Sequence, residues 1–206
     1  MNSIITIGRE FGSGGREIGK IIADKYGIPF YDKELLEEAA KHSGICKDLF
    51  VKNDENCSSS FLYSLVMGTY PVTADGRINP EMPLNHRIFL AQFDTIKKLA
   101  DSPCVIVGRC ADYVLQEHKN LISVFITGDM PEKKRRINER YDIEKQKTES
   151  FIRKTDKRRA NYYEYYTDRK WGAADNYDIC VNSSKVGIDG AVGLICSYIE
   201  LVEASR

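Results

Sequence analysis

Short unbroken apolar runs alternate along this chain with stretches whose apolar residues recur at helical spacing. Residues 3–7 are the first run and predict a strand. Residues 14–26 follow with Ile18, Ile21, Ile22 and Tyr26 on one helical face, and Gly27 ends that helix. Residues 28–31 predict a short second strand leading to Asp32, a residue type that caps helices, and Leu35, Leu36 and Ala39 give the next helix its inner face. A helix over 85–100, a strand over 103–107, a helical turn over 111–116 and a strand over 121–127 repeat the alternation. Residues 131–141 and 144–166 predict charged helices, and 177–181 the last strand. Ile188, Val192, Ile195, Ile199 and Val202 mark a C-terminal amphipathic helix. Uninterrupted apolar strands joined by helices call for a parallel sheet covered on both faces, an α/β fold.

Residues 44–87 break the pattern. Clusters of Gly, Ser, Asn and Pro surround one apolar patch at 61–67, which predicts an insertion with a short helix and mobile flanks. The 206 residues suit a single domain with a real core. No apolar run approaches the ~20 residues that span a bilayer, and no basic-then-apolar leader opens the chain, so a soluble cytoplasmic protein is expected. The net charge of zero implies no general attraction to nucleic acid or membrane. The charge is uneven, however. Residues 131–170 hold 14 Lys+Arg against 8 Asp+Glu, a net +6 set on a body of −6, which points to a local anion site. The six cysteines make no C-x-x-C pair and read as buried reduced thiols, and His42, His86 and His118 are scattered and read as surface residues. No metal cage is visible.

The candidate chemistry lies at predicted strand ends, where open α/β sheets bind ligands. After the first strand comes Gly8-Arg9-Glu10-Phe11-Gly12-Ser13-Gly14-Gly15-Arg16. A strand, a glycine turn and a helix start aim backbone N–H groups at a phosphate. Compared with the phosphate-loop pattern, Gly12-Ser13-Gly14 is in place, Gly15 stands at the lysine position, Arg16 at the hydroxyl position and Arg9 at the first glycine; in a frame shifted by one, Arg16 takes the lysine position and Glu17 the hydroxyl position. Arg16 is the natural replacement charge. The second strand ends at Asp32 and Lys33. The third ends at Gly108-Arg109, with Asp112 beyond as a possible ion-pair partner of Arg109. In the basic helix Arg153, Asp156 and Arg159 recur at three-residue intervals, so Asp156 can brace two guanidinium groups against charge developing on a transferred phosphoryl group. Tyr162, Tyr165 and Trp171 suit either core or dimer contacts, which leaves a homodimer open.

Four ordered segments resemble the cytidylate kinase-like family of P-loop nucleoside monophosphate kinases. They are residues 4–19, 27–33 (Gly-Ile-Pro-Phe-Tyr-Asp-Lys), 105–112 (Val-Ile-Val-Gly-Arg-Cys-Ala-Asp) and 155–178, which includes Asp156-Lys157-Arg158-Arg159-Ala160-Asn161-Tyr162-Tyr163. The resemblance spans almost the entire chain. It implies a three-layer P-loop nucleotide-kinase fold with a core (1–43, 88–139 and 171–206), an NMP-binding insert (44–87) and a helical lid (140–170). It implies ATP as cofactor with Mg²⁺, and a small-molecule nucleotide as substrate. The implied donor site is Gly12, Ser13, Gly14, Gly15 and Arg16. The implied acceptor site is Asp32, Arg109 and Asp112, and the implied catalytic groups are Arg16, Arg153, Asp156 and Arg159. The chain departs from the family pattern at Cys110, where the motif carries Asp, and at the loop lysine and its hydroxyl neighbour. Three readings remain: ATP-dependent phosphorylation of a small acceptor such as CMP or dCMP; a nucleotide-binding sensor or partner-binding protein with little or no turnover; and a kinase for a small molecule that is not a nucleotide. Tyr63, Tyr70 and Arg77 of the insert do not choose among acceptors.

Overall fold

The computed structural model describes residues 1–43, 45–53 and 83–206. Five parallel strands form one sheet in the order β2-β3-β1-β4-β5. They are β1 (Ile4–Arg9), β2 (Phe30–Tyr31), β3 (Val105–Val107), β4 (Leu121–Thr127) and β5 (Ile179–Asn182). Strand period two sends alternate side chains to opposite faces. Ile5 and Ile7 of β1, Val105 and Val107 of β3, and Ile122, Val124 and Ile126 of β4 face α1 (Gly15–Tyr26) and α8 (Ser183–Ala204), meeting Ile18, Ile22, Ile195 and Ile199. Ile4 and Ile106 face the other way, toward α2 (Glu34–Ser43), α4 (Leu84–Leu99) and α5 (Ala111–Val114), through Leu35, Ile96 and Val114. Each fully buried Ile or Leu contributes about 1.5–3 kcal/mol. The result is the three-layer α/β architecture that the apolar rhythm calls for.

Two smaller clusters complete the core. Leu36, Ala39, Phe50, Ile88 and Ala91 join α2 and α4 to α3 (Lys47–Asn53). Phe89, Cys110, Tyr162 and Tyr163 seat the end of α7 (Thr148–Thr167) on α4, with Trp171 packed alongside. Tyr162, Tyr165 and Trp171 therefore make contacts within the chain: Tyr162 donates to Gln92 Oε1, Tyr165 meets His86 Nε2, and Trp171 packs edge-on against Phe125. His86 is buried in this contact rather than at the surface, and desolvation holds its pKa below the ordinary value.

Cys104, Cys110 and Cys196 are buried, whereas Cys46 is exposed ahead of α3 and Cys180 is exposed because alternation on the edge strand β5 turns it outward. Residues 54–82, most of the expected insert, lie outside the described residues, and with them Cys57, Tyr63, Tyr70 and Arg77. No helix among the described residues is long and apolar enough to cross a membrane.

Candidate functional site

β1 runs two residues past its apolar stretch because β4 pairs with it to the end, Gly8 opposite Phe125 and Arg9 opposite Ile126. The chain then turns through Gly12 and Gly14, both at φ 82°, a conformation that glycine alone adopts without strain. The turn is supported from beneath by α6 (Met130–Arg140) and α8. Arg136 Nη1 and Ser183 Oγ both donate to the Ser13 carbonyl, at 2.8 and 2.5 Å. The Glu10 carboxylate collects Thr127 Oγ1, the Gly128 N–H and Lys133 Nζ at 2.8, 3.0 and 3.1 Å.

Gly14 caps α1 and has no side chain to do so with, so among the described residues no cap side chain occupies the first-turn N–H groups of α1. Ser13 does not present a hydroxyl to that ligand. It is fully buried, and its Oγ donates to the Glu10 carbonyl at 2.8 Å. Gly15 has a reason for being glycine: a Cβ there would lie 2.5 Å from Cβ of Arg9. The Arg9 stem thus fills the space that a side chain at position 15 would need. Arg9 is half-buried and lines the cleft beside the loop, whereas Arg16 is exposed over more than half of its side chain and turns to Asp32.

Asp32 does not cap α2. Its Oδ2 accepts from Arg16 Nε at 2.7 Å and its Oδ1 from Arg109 Nη1 at 3.3 Å. Burial pushes the Asp32 carboxyl up, but Arg109, Arg9 and Arg16 together outweigh burial and hold it below the usual carboxylate range. Arg109 is buried and also donates to the Val107 carbonyl at 3.1 Å. It stands in the left-handed region at φ 54°, between Gly108 at 76° and Cys110 at 56°. Two successive non-glycine residues there cost on the order of 1–3 kcal/mol each, strain of the kind that gathers at ligand sites.

The expected pairing of Arg109 with Asp112 gives way to Asp32. Asp112 is buried beneath α7, where it accepts from Tyr163 OH at 2.6 Å, and burial raises its pKa despite that bond. It borders a smaller cavity of about 20 Å³ that shares Arg9, Arg109 and Arg159 with the main cleft. Cys110 sits in the core cluster with Tyr162 and Tyr163, so the position that holds Asp in the family motif serves packing here.

The basic helix α7 differs from expectation in two respects. Arg153 is two-thirds exposed and pairs with Glu149 one turn earlier, outside the cleft. Asp156 is engaged by other groups than the two arginines: its Oδ2 accepts from Lys133 Nζ at 2.7 Å and its Oδ1 from the Phe11 N–H at 2.6 Å. Burial, only partly offset by those donors, pushes its pKa up. Arg159 keeps its place at the site. Its Nη1 donates to the Arg9 carbonyl at 3.2 Å, and its guanidinium lies over the Phe11 ring.

These groups line one cleft of about 280 Å³, bounded by the glycine loop, Asp32, Lys33, Arg109 and Arg159. Arg158 of the basic helix also lines it, as do Arg136 and Arg140, which the sequence reading does not place at the site. The spacing of Arg136 and Arg140 on the helix that follows β4 was the available signal. Of the sequence candidates, the cleft unites Gly12, Gly14, Gly15, Arg16, Asp32, Arg109 and Arg159. Arg153, Asp156 and Asp112 are not among its lining residues, and Ser13 supports the loop from within.

The chain is similar to the solved structure of an uncharacterized protein from Eubacterium ventriosum, at 34% identity and a TM-score of 0.72, covering 96% of this chain and 98% of that one. It shares its fold with a shikimate kinase from Bacteroides thetaiotaomicron, at 15% identity and TM-score 0.54, covering 97% and 99% of the two chains. A gluconokinase from Sinorhizobium meliloti is similar at 15% identity and TM-score 0.53, with 100% and 98% covered. Curated protein sequences give no match. The model of the cytidylate kinase-like family matches residues 4–185, which include the glycine loop, Asp32, Arg109 and Arg159, and the chain belongs to that family.

Proposed function

We propose that the chain transfers a phosphoryl group from ATP to a small acceptor, CMP or dCMP in the simplest case, through an altered phosphate loop. Family membership and the kinase fold support a nucleotide-binding phosphotransferase. One observation carries the reading furthest. Arg109, buried on strained backbone and steadied by Asp32, shares a cleft with the glycine loop, and Arg159 reaches the edge of that loop.

The residues present suit a polyphosphate. Two glycines at positive φ, the uncapped start of α1 and the Arg9 guanidinium offer amide and cationic donors. They do not suit a protein-held Mg²⁺: Ser13 Oγ is turned inward, Arg16 stands at the hydroxyl position, and no cluster of three metal-ligating side chains exists among the described residues. No step is therefore assigned to a metal. Bound ATP would supply the phosphoryl group. The loop amides and Arg9 hold the donor phosphates, Arg109 and Asp32 orient the acceptor, and Arg159 meets charge that develops on the transferred group.

The test is ADP release by purified protein with CMP, dCMP, UMP and AMP as acceptors. Arg159→Ala should lower kcat on the order of 10²-fold while changing ATP affinity little, because its interaction is made in the transition state. A sensor without turnover is the second reading, favoured by the Asp156 carboxylate that already occupies the Phe11 amide. Tight nucleotide binding with no acceptor-dependent ADP would select it.

A further inference from the structure

Lys133 and Asp156 are charged groups beside the glycine loop to which phosphoryl transfer has so far given no task. Lys133 projects from α6, and its side chain is only 4% exposed. Its ammonium contacts Glu10 Oε2 at 3.1 Å and Asp156 Oδ2 at 2.7 Å. Glu10 is fixed independently, by Thr127 and Gly128. Asp156 reaches in from α7, and its other oxygen accepts the Phe11 N–H at 2.6 Å. One carboxylate thus bridges a backbone amide of the loop and a buried ammonium. An amide and a cation are the two kinds of donor that a phosphate loop offers to a phosphoryl group. A phosphoryl group also presents two oxygens at nearly the spacing of a carboxylate.

We propose that the Asp156 carboxylate occupies a phosphoryl position in the ligand-free protein, and that an incoming phosphate displaces it and takes over the Phe11 amide and Lys133. The inference rests on the reading that this loop binds phosphate. Lys133 becomes a phosphate-binding residue supplied from α6 rather than from the loop. Asp156 becomes a gatekeeper whose displacement shifts the turn of α7 that also carries Arg158 and Arg159. Burial already opposes the charged form of Asp156, so its release toward water recovers part of the opposition to ligand entry.

The experiment is calorimetric titration of pyrophosphate, and separately ATP, into wild type, Asp156→Asn and the double variant Lys133→Met/Asp156→Asn. Asparagine keeps an acceptor for the Phe11 N–H and removes the competing charge. Asp156→Asn should bind pyrophosphate about tenfold more tightly, roughly 1.4 kcal/mol, and the double variant should lose that gain. Unchanged or weaker binding by folded Asp156→Asn, where wild type binds ATP, overturns the inference and leaves the proposed function standing. Failure of both wild type and Asp156→Asn to bind either ligand overturns both. Should the variant not fold, amide resonances of wild type decide the matter. Pyrophosphate should move the Phe11 amide saturably, and binding that leaves this amide unmoved overturns the inference.

Discussion

Arg9 and Arg16 differ in how much of their charge water has already taken. Arg16 keeps more than half of its side chain in solvent, where an added anion gains little from it. Arg9, its stem against Gly15, is half-buried and less hydrated, and lines the same cleft. Arg9→Ala should therefore weaken ATP binding about tenfold or more, and Arg16→Ala by less. Equal losses, or the reverse order, in a binding titration would return the replacement charge to Arg16. Asp112 gives a stability prediction. Its folded pKa is raised above the unfolded value, so the folded state holds the extra proton between the two. Stability then falls as pH rises through the folded pKa, and the penalty disappears below the unfolded value near 3.9. Asp112→Asn, which still accepts from Tyr163, should raise stability at pH 7.5 and gain little at pH 4. Urea unfolding at the two pH values checks this, and a loss of stability at pH 7.5 would refute it.

At the scale of elements, α7 is one helix with two kinds of neighbour. Its end, through Tyr162, Tyr163 and Tyr166, is fixed by aromatic contacts to Phe89 and by the bond to Asp112. Its beginning rests on α6 and on the glycine loop, with Phe151 packed edge-on against Phe11. The uniform lid expected over 140–170 should therefore divide. Amides of 149–156 should exchange faster than those of 162–167 in the free protein, and should slow when nucleotide binds. Equal protection of the two halves, with and without ATP, would count against any opening of α7. Its charged and tyrosine-rich composition located this helix, but not its partners. Asp156 meets Lys133 from another helix, a pairing that no spacing within α7 encodes. Element ends were lost for similar reasons. β1 reaches Arg9 only because β4 pairs with it. The start of α8 at Ser183, capped by Asn182, precedes the apolar face that begins at Ile188 and is masked by Gly187 at φ 73°.

At the scale of the whole molecule, the strand order places β1 between β3 and β4, so the glycine loop and Arg109 emerge on adjacent strands while β2 brings Asp32 alongside. Strand ends and the glycine loop could be read from the chain because each is a local pattern; their convergence depends on the parallel order, which the alternation of runs and helices implied. What the chain could not reveal is that the loop's inner surface is closed by Lys133, Arg136 and Ser183, all contributed by later elements. That closure bears on the metal. With Ser13 Oγ spent on the Glu10 carbonyl and Arg16 in the hydroxyl position, the loop itself offers Mg²⁺ no hydroxyl, and the described residues hold no cluster of three metal ligands. Mg²⁺ alone should leave the melting temperature unchanged, because a ligand stabilises only by binding the folded state. ATP without Mg²⁺ at about 100 times its Kd should add about 2.7 kcal/mol, a rise of roughly 5–10 °C for a chain of this size. Mg²⁺ added afterward should raise it further only by bridging phosphates already bound. A shift with Mg²⁺ alone would show that the protein holds the metal directly, and no shift with ATP until Mg²⁺ is present would show that the loop does not hold the free polyphosphate; either result sinks this account of the loop.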